Sequence, residues 1–129
     1  MTKARSRVLA ALDNAAEPLS AAGVMEAIGQ SCDQATVYRA LAYLEGAGLA
    51  ESFVFHCDEH GTERYYVKAA AAHRHWFHCR TCHRFVDLGS CVLDSILAGY
   101  EKEYGIRVKG HALYLTGDCA DCAAKAGGA

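Results

Sequence analysis

At 129 residues, 52% apolar and 22% charged, the chain fits one or two small globular domains. It has no apolar run of about 18 residues that would span a membrane, and Met1 to Arg7 lack the apolar stretch of a signal peptide, so a cytoplasmic, reducing compartment is expected. The net charge of -2 excludes a broadly basic surface; any nucleic-acid affinity rests on local placement and dimerisation.

Residues 3–16 read as a helix, with Val8, Leu9 and Leu12 on one side. Ser20 is a good N-cap for a second helix to about Ile28, ended by Gly29. Asp33 caps a third, residues 34–45, closed by Gly46 and Gly48, with Val37, Leu41 and Leu44 as its buried stripe. Residues 49–55 and 64–67 are β-like, with residues 58–61 in the turn between them. Three helices followed by a hairpin make a winged helix over residues 1–68. Residues 69–74 read as a hinge.

Residues 75–129 form the second expected domain. Short strands flank Cys79 and Cys82, at 76–78 and 84–87. Ser90 caps a helix to about Tyr104, with Leu93, Ile96, Leu97 and Tyr100 as core face and Gly105 as stop. Residues 107–108 and 111–115 alternate like a strand, and residues 123–129 are expected to fray. The fold class is α+β, a winged helix followed by a small α/β domain.

Four cysteines carry the strongest chemical signal. Cys79/Cys82 and Cys119/Cys122 are two Cys-x-x-Cys pairs with 36 residues between them. Each pair offers two thiolates from one tight turn, and two pairs make the tetrahedral four-sulfur shell that zinc prefers. In a reducing compartment such pairs are metal ligands more often than disulfides, and the odd total of seven cysteines argues the same way. One structural Zn2+ per chain is expected. His73, His75, His78 and His83 surround the first pair, so the chain can hold more than one metal.

Several segments, in this order and spacing, resemble the ferric uptake regulator family across nearly the whole chain. They are residues 35–41 (ATVYRAL), 73–82 (HRHWFHCRTC), 105–108 (GIRV), 111–115 (HALYL) and 117–122 (GDCADC). The resemblance implies a homodimeric, metal-responsive transcription regulator, with a winged helix that binds double-stranded operator DNA and a C-terminal dimerisation domain. It implies that the third helix enters the major groove. Tyr38 and Arg39 fall off the buried stripe and can point outward. An aromatic edge can touch a thymine methyl, and arginine can fork onto guanine or clamp a phosphate. Gln34 and Thr36 are candidates for backbone contacts, and Lys3, Arg5 and Arg7 for phosphates or a minor groove.

The resemblance also implies a regulatory metal at the hinge. His73 and His75 match the family's His-x-His pair, and Asp94 its acid early in the dimer-domain helix. His111 matches a histidine of a secondary site; the acid that accompanies it is Gly99 here, with Glu101 available on the same helical face as Asp94. The acid of the second wing strand is Tyr66 here, and the wing offers His56, Cys57, Glu59 and His60 instead. Cys57 with His73, His75 and Asp94 would make a tetrahedral S/N/N/O zinc shell, similar to the zinc uptake regulator branch. A thiolate favours zinc over ferrous iron or manganese. Cys32 and Cys91 are expected to be inert, and His78 and His83 to pack or face solvent. The expected function is a zinc-responsive repressor of metal-uptake genes. An iron-, manganese- or peroxide-responsive regulator of the same family is the alternative, and a metal module without DNA binding the remote one. No His-Glu-x-x-His motif is present, so a metal-dependent enzyme is not expected.

Overall fold

The computed structural model describes residues 1–127, and the chain divides into two units, Met1–Ala69 and Ala70–Ala129. The first unit contains α1 (Lys3–Asn14), β1 (Leu19–Ser20), α2 (Ala21–Ala27), α3 (Gln34–Gly46), β2 (Ala50–Cys57) and β3 (Gly61–Lys68). Local chemistry sets the helix starts. The hydroxyls of Thr2 and Ser20 and the carboxylate of Asp33 accept from the backbone N–H groups of Arg5, Gly23 and Thr36, at 3.2, 3.1 and 2.8 Å. Val8, Leu12, Val24, Val37, Leu41 and Leu44 then close one apolar core, with Ala50 and Tyr66 from the sheet. This is a winged helix, with sheet order β1-β3-β2.

The wing is longer than the alternation pattern implied. β2 and β3 stay in register from Ala50↔Lys68 to Cys57↔Gly61, so His56 and Cys57 are strand residues. Two cross-strand contacts hold the outer half: Phe53 stacks on Tyr65 at 6.0 Å, and His56 Nδ1 bonds the Thr62 hydroxyl at 2.8 Å.

The second unit contains β4 (Arg74–Cys79), β5 (Phe85–Ser90), α4 (Asp94–Tyr104), β6 (Tyr114–Gly117) and α5 (Ala120–Gly127). Its sheet has the order β5-β4-β6, with β4 antiparallel to β5 and parallel to β6. Opposite residues Arg74–Trp76 of β4, β5 carries one extra residue, because Arg74 pairs with Ser90 and Trp76 with Asp87. Gly89 lies in this bulge at φ +81°, a conformation that glycine adopts readily.

Four sequence expectations change here. Ser90 ends β5 and does not cap a helix; α4 begins at Asp94, after Leu93, which makes no side-chain cap bond. The expected core face of α4 is open: Ile96 and Tyr100 are 52% and 50% exposed, and the helix has no buried residue. Residues 107–113 are not strand, and β6 starts only at Tyr114. Residues 123–127 are helical instead of frayed, whereas 128–129 lie outside the described residues. An alanine-rich stretch needs only a nucleus, and the Ala123 N–H to Cys119 carbonyl bond of 2.8 Å supplies the first turn. No helix is long and apolar enough to cross a membrane.

Candidate metal centres and nucleic-acid face

The four paired cysteines meet at one end of the second sheet. β4 delivers Cys79, the turn after it Cys82, and the start of α5 Cys119 and Cys122. The Arg80 N–H donates to the Gly117 carbonyl at 2.7 Å, which ties the two knuckles together. The backbone N–H groups of Cys82 and Cys119 both point at Cys79 Sγ, each at 3.4 Å. Cys82 Sγ and Cys119 Sγ are 3.8 Å apart, and all four sulfurs lie within 4.8 Å of one another. A tetrahedron with Zn–S bonds of about 2.3 Å has S···S edges of about 3.8 Å. The donors therefore fit a zinc ion in number, chemistry and spacing.

The same N–H groups shape the thiols. The Cys82 N–H is the largest influence that lowers the Cys79 thiol, to about 6, and the Cys122 N–H lowers Cys119. Cys122 is pushed up to about 12, chiefly by its contact with Cys119. Cys82 also rises; the Arg84 N–H pulls it down, but its sulfur neighbours Cys79 and Cys119, with burial, outweigh that. Thiolate is thus favoured at Cys79 and Cys119 over Cys82 and Cys122, and a divalent cation lets the remaining protons leave.

A second cluster forms a few residues upstream on the same sheet. His73 and His75, two apart, flank Arg74 at the start of β4, and His111 comes from the loop before β6. His111 Nε2 lies 3.1 Å from His73 Nε2 and 3.0 Å from His75 Nε2. His75 Nδ1 is 3.0 Å from the Leu113 carbonyl, which fixes the proton on Nδ1 and leaves Nε2 with its lone pair inward. Cys91, in the loop between β5 and α4, places its Sγ 3.4 Å from His111 Nε2. These four donor atoms lie within 4.8 Å of one another. His111 Nε2 lies about 3 Å from two other ring nitrogens, and a single N–H···N bond satisfies only one of those contacts. A cation at their centre satisfies all of them, so this donor set also fits a metal.

The cluster is complete inside the second unit. Cys57 belongs to the first unit, at the end of β2, and is not among these donors. Asp94 is also outside the four. As the first residue of α4 it lines a 480 Å³ cavity with His73, His111 and Glu101. Glu101 Oε2 accepts from the Val108 N–H at 3.1 Å. In the wing, His56 Nε2 lies 3.4 Å from Asp58, and Glu59 and His60 occupy the turn. His78 is buried against Phe85, ring centroids 4.8 Å apart. Sequence reasoning missed Cys91; its one signal was its place just ahead of the helix that carries Asp94.

The third structural feature is the outer face of α3. Gln34, Tyr38 and Arg39 are exposed, Tyr38 by 49%. Arg39 Nη2 donates to the Thr36 hydroxyl at 3.2 Å, which braces the guanidinium along the helix. Arg5 stacks its guanidinium 3.6 Å over the Tyr43 ring, tying α1 to α3. Lys3 and Arg7 are exposed on α1.

A family model described as Ferric uptake regulator family matches residues 1–116. The Ferric uptake regulation protein of Neisseria meningitidis serogroup B is 31% identical over 115 residues, 87% of this chain and 77% of the relative. That of Campylobacter jejuni is 31% identical over 88 residues, 68% of this chain, and the chain spans 54% of its length. Among solved structures, the Helicobacter pylori ferric uptake regulator Fur, described with three functional metal binding sites, superposes with a TM-score of 0.73 at 22% identity, covering 95% of this chain and 81% of that one. A zinc uptake regulator complexed with zinc and DNA superposes with a TM-score of 0.69 at 19% identity, covering 98% and 85%. A match over 116 of 129 residues, on a winged helix followed by a metal-binding α/β unit, settles the membership: the chain belongs to the ferric uptake regulator family, whose members are transcription regulators and not enzymes.

Proposed function

We propose that this chain is a zinc-responsive repressor that binds palindromic operator DNA as a homodimer and controls metal-uptake genes. The observation that carries the reading is the convergence of His73, His75 and His111 close to the junction of the units at Ala69/Ala70. Ligation of His73 fixes the end of the segment that leads out of the wing. It thereby restricts the arrangements open to the two reading heads of a dimer. Metal acts by favouring the arrangement that matches two half-sites, which requires tighter binding to that state. The solved relative complexed with zinc and DNA supports this reading.

Within each head, Tyr38 and Arg39 read base edges and Gln34 and Thr36 contact the backbone. Lys3, Arg5 and Arg7 add phosphate contacts. The open face of α4 and the β6 edge, which pairs only with β4 among the described residues, support a second copy as partner. Cys79, Cys82, Cys119 and Cys122 hold the structural zinc. Iron- or manganese-dependent regulation is the alternative, since the relatives include ferric uptake regulation proteins.

The test is fluorescence anisotropy on a palindromic fragment from the chain's own upstream region, with zinc, ferrous iron or manganese added after chelation. Zinc-dependent binding, with one chelator-resistant and one exchangeable zinc per chain by elemental analysis, supports the proposal. Equal response to iron or manganese moves the effector, and metal-independent binding rejects it.

A further inference from the structure

We propose that Cys91 is the fourth ligand and the metal-selecting residue of the three-histidine cluster, closing it as a shell of three nitrogens and one sulfur. The inference rests on reading His73, His75 and His111 as the sensing site, and it replaces a wing thiolate or a helix carboxylate with a thiolate from the β5–α4 loop.

Backbone geometry holds Cys91 in place from two sides. Its own N–H donates to the His73 carbonyl at 3.1 Å, so the sulfur-bearing residue is bonded to a residue of the cluster. The Leu93 N–H donates to Cys91 Sγ at 3.4 Å and fixes where the sulfur sits. The sulfur then faces His111 Nε2 at 3.4 Å. A cysteine that merely packs is surrounded by apolar side chains; this one faces the His111 nitrogen on which His73 and His75 also converge. The bulge at Gly89 makes the placement possible, because the extra residue brings the chain after β5 back toward His73.

The donor set decides the metal class. Three imidazoles and one thiolate, with no carboxylate among the four clustered donors, form a borderline-soft four-coordinate site. Zinc accepts such a shell; manganese, and to a smaller degree ferrous iron, prefer oxygen donors and higher coordination. On binding, the Cys91 S–H proton leaves to solvent and the sulfur takes up the bond to the metal, with no change of oxidation state. Asp94 and Glu101 line the neighbouring cavity and present negative charge to an approaching cation.

The test uses the full chain with one zinc per chain held by Cys79, Cys82, Cys119 and Cys122, titrated with cobalt(II). Wild type and Cys57→Ala are expected to show a near-ultraviolet thiolate-to-cobalt charge-transfer band for the second equivalent. Cys91→Ser and Cys91→Asp are expected to lose it while keeping one zinc and an unchanged far-ultraviolet spectrum. Loss of an outer-shell partner alone costs about 10–100-fold in metal affinity, so loss of this direct ligand is expected to weaken zinc by at least the upper end of that range. Manganese binding changes less. A band that survives in Cys91→Ser, or disappears in Cys57→Ala, overturns the assignment. The band and the DNA response are separate readouts. A Cys91-dependent band with metal-independent DNA binding leaves the ligand in place and removes the sensing function.

Discussion

The two units of this chain keep their shapes by different means. The first is closed by carbon: Val8, Val24, Val37, Leu41 and Leu44 are fully buried around three capped helices. The second is closed by sulfur and nitrogen. Among the described residues, its buried ones are Trp76, His78, Cys79, Phe85 and Cys119, two of them cysteines of the cage, and its longest helix buries nothing. A unit of about 60 residues buries a smaller share of its surface than a larger domain and is correspondingly marginal, so a metal or a partner adds much to its stability. This unit carries a four-cysteine cage at one end of its sheet and a helix with an exposed apolar face, the features on which the proposed zinc and the proposed second copy rest.

Breaking the cage has the largest expected effect. Cys119→Ser, or zinc removal by a strong chelator, is expected to unfold the second unit, since structural zinc supplies apparent binding energy of about 10–16 kcal/mol in small metal domains. Calorimetry is expected to keep the transition of the first unit and lose the other. A single unchanged transition would show that the second unit has a sufficient core without metal. The converse is Leu41→Ala, which leaves a void in the first unit and is expected to lower its stability by about 2–5 kcal/mol. Zinc content is expected to stay at the wild-type value, which elemental analysis checks.

Tyr100→Asp places a charge on the open face of α4. The dimer dissociation constant, read by analytical ultracentrifugation, is expected to rise at least tenfold, about 1.4 kcal/mol. An unaffected dimer would place the partner elsewhere. The smallest effect belongs to acid. The Thr36 hydroxyl and N–H hold the Asp33 carboxyl below its ordinary value of 3.8. A depressed carboxyl contributes stability that is full above its unfolded value and is lost as pH falls through the lower folded one. The thermal midpoint of the first unit is therefore expected to drop slightly as pH falls below 3.8, and Asp33→Asn, which still caps the helix, is expected to flatten that dependence. Thermal melts from pH 5 to 3 would read both (roughly the window in which a carboxylate titrates).

The first unit was largely legible in the sequence because its instructions are local. Ser20 and Asp33 cap the helices they precede, and Val37, Leu41 and Leu44 form the buried stripe that their spacing implies. The second unit was less legible because its order depends on contacts distant in sequence. An apolar face at Ile96 and Tyr100 looks like core in a lone sequence, yet in a single chain it stays exposed. The paired cysteines announced themselves by spacing. Cys91 did not, because its partners lie 16 to 20 residues away and meet it through a bulge and a loop that no periodic pattern encodes.

Gly89 coordinates nothing, yet it sets where Cys91 falls. Its φ of +81° is a conformation that other residues rarely adopt, and the bulge it permits is what turns the chain toward His73. Gly89→Val would keep every donor atom in the chain and still pull one out of reach. A genetic screen for alleles blind to metal is therefore expected to find Gly89 beside the ligands themselves. For inheritance, this backbone angle is as much a part of the proposed metal receptor as any histidine.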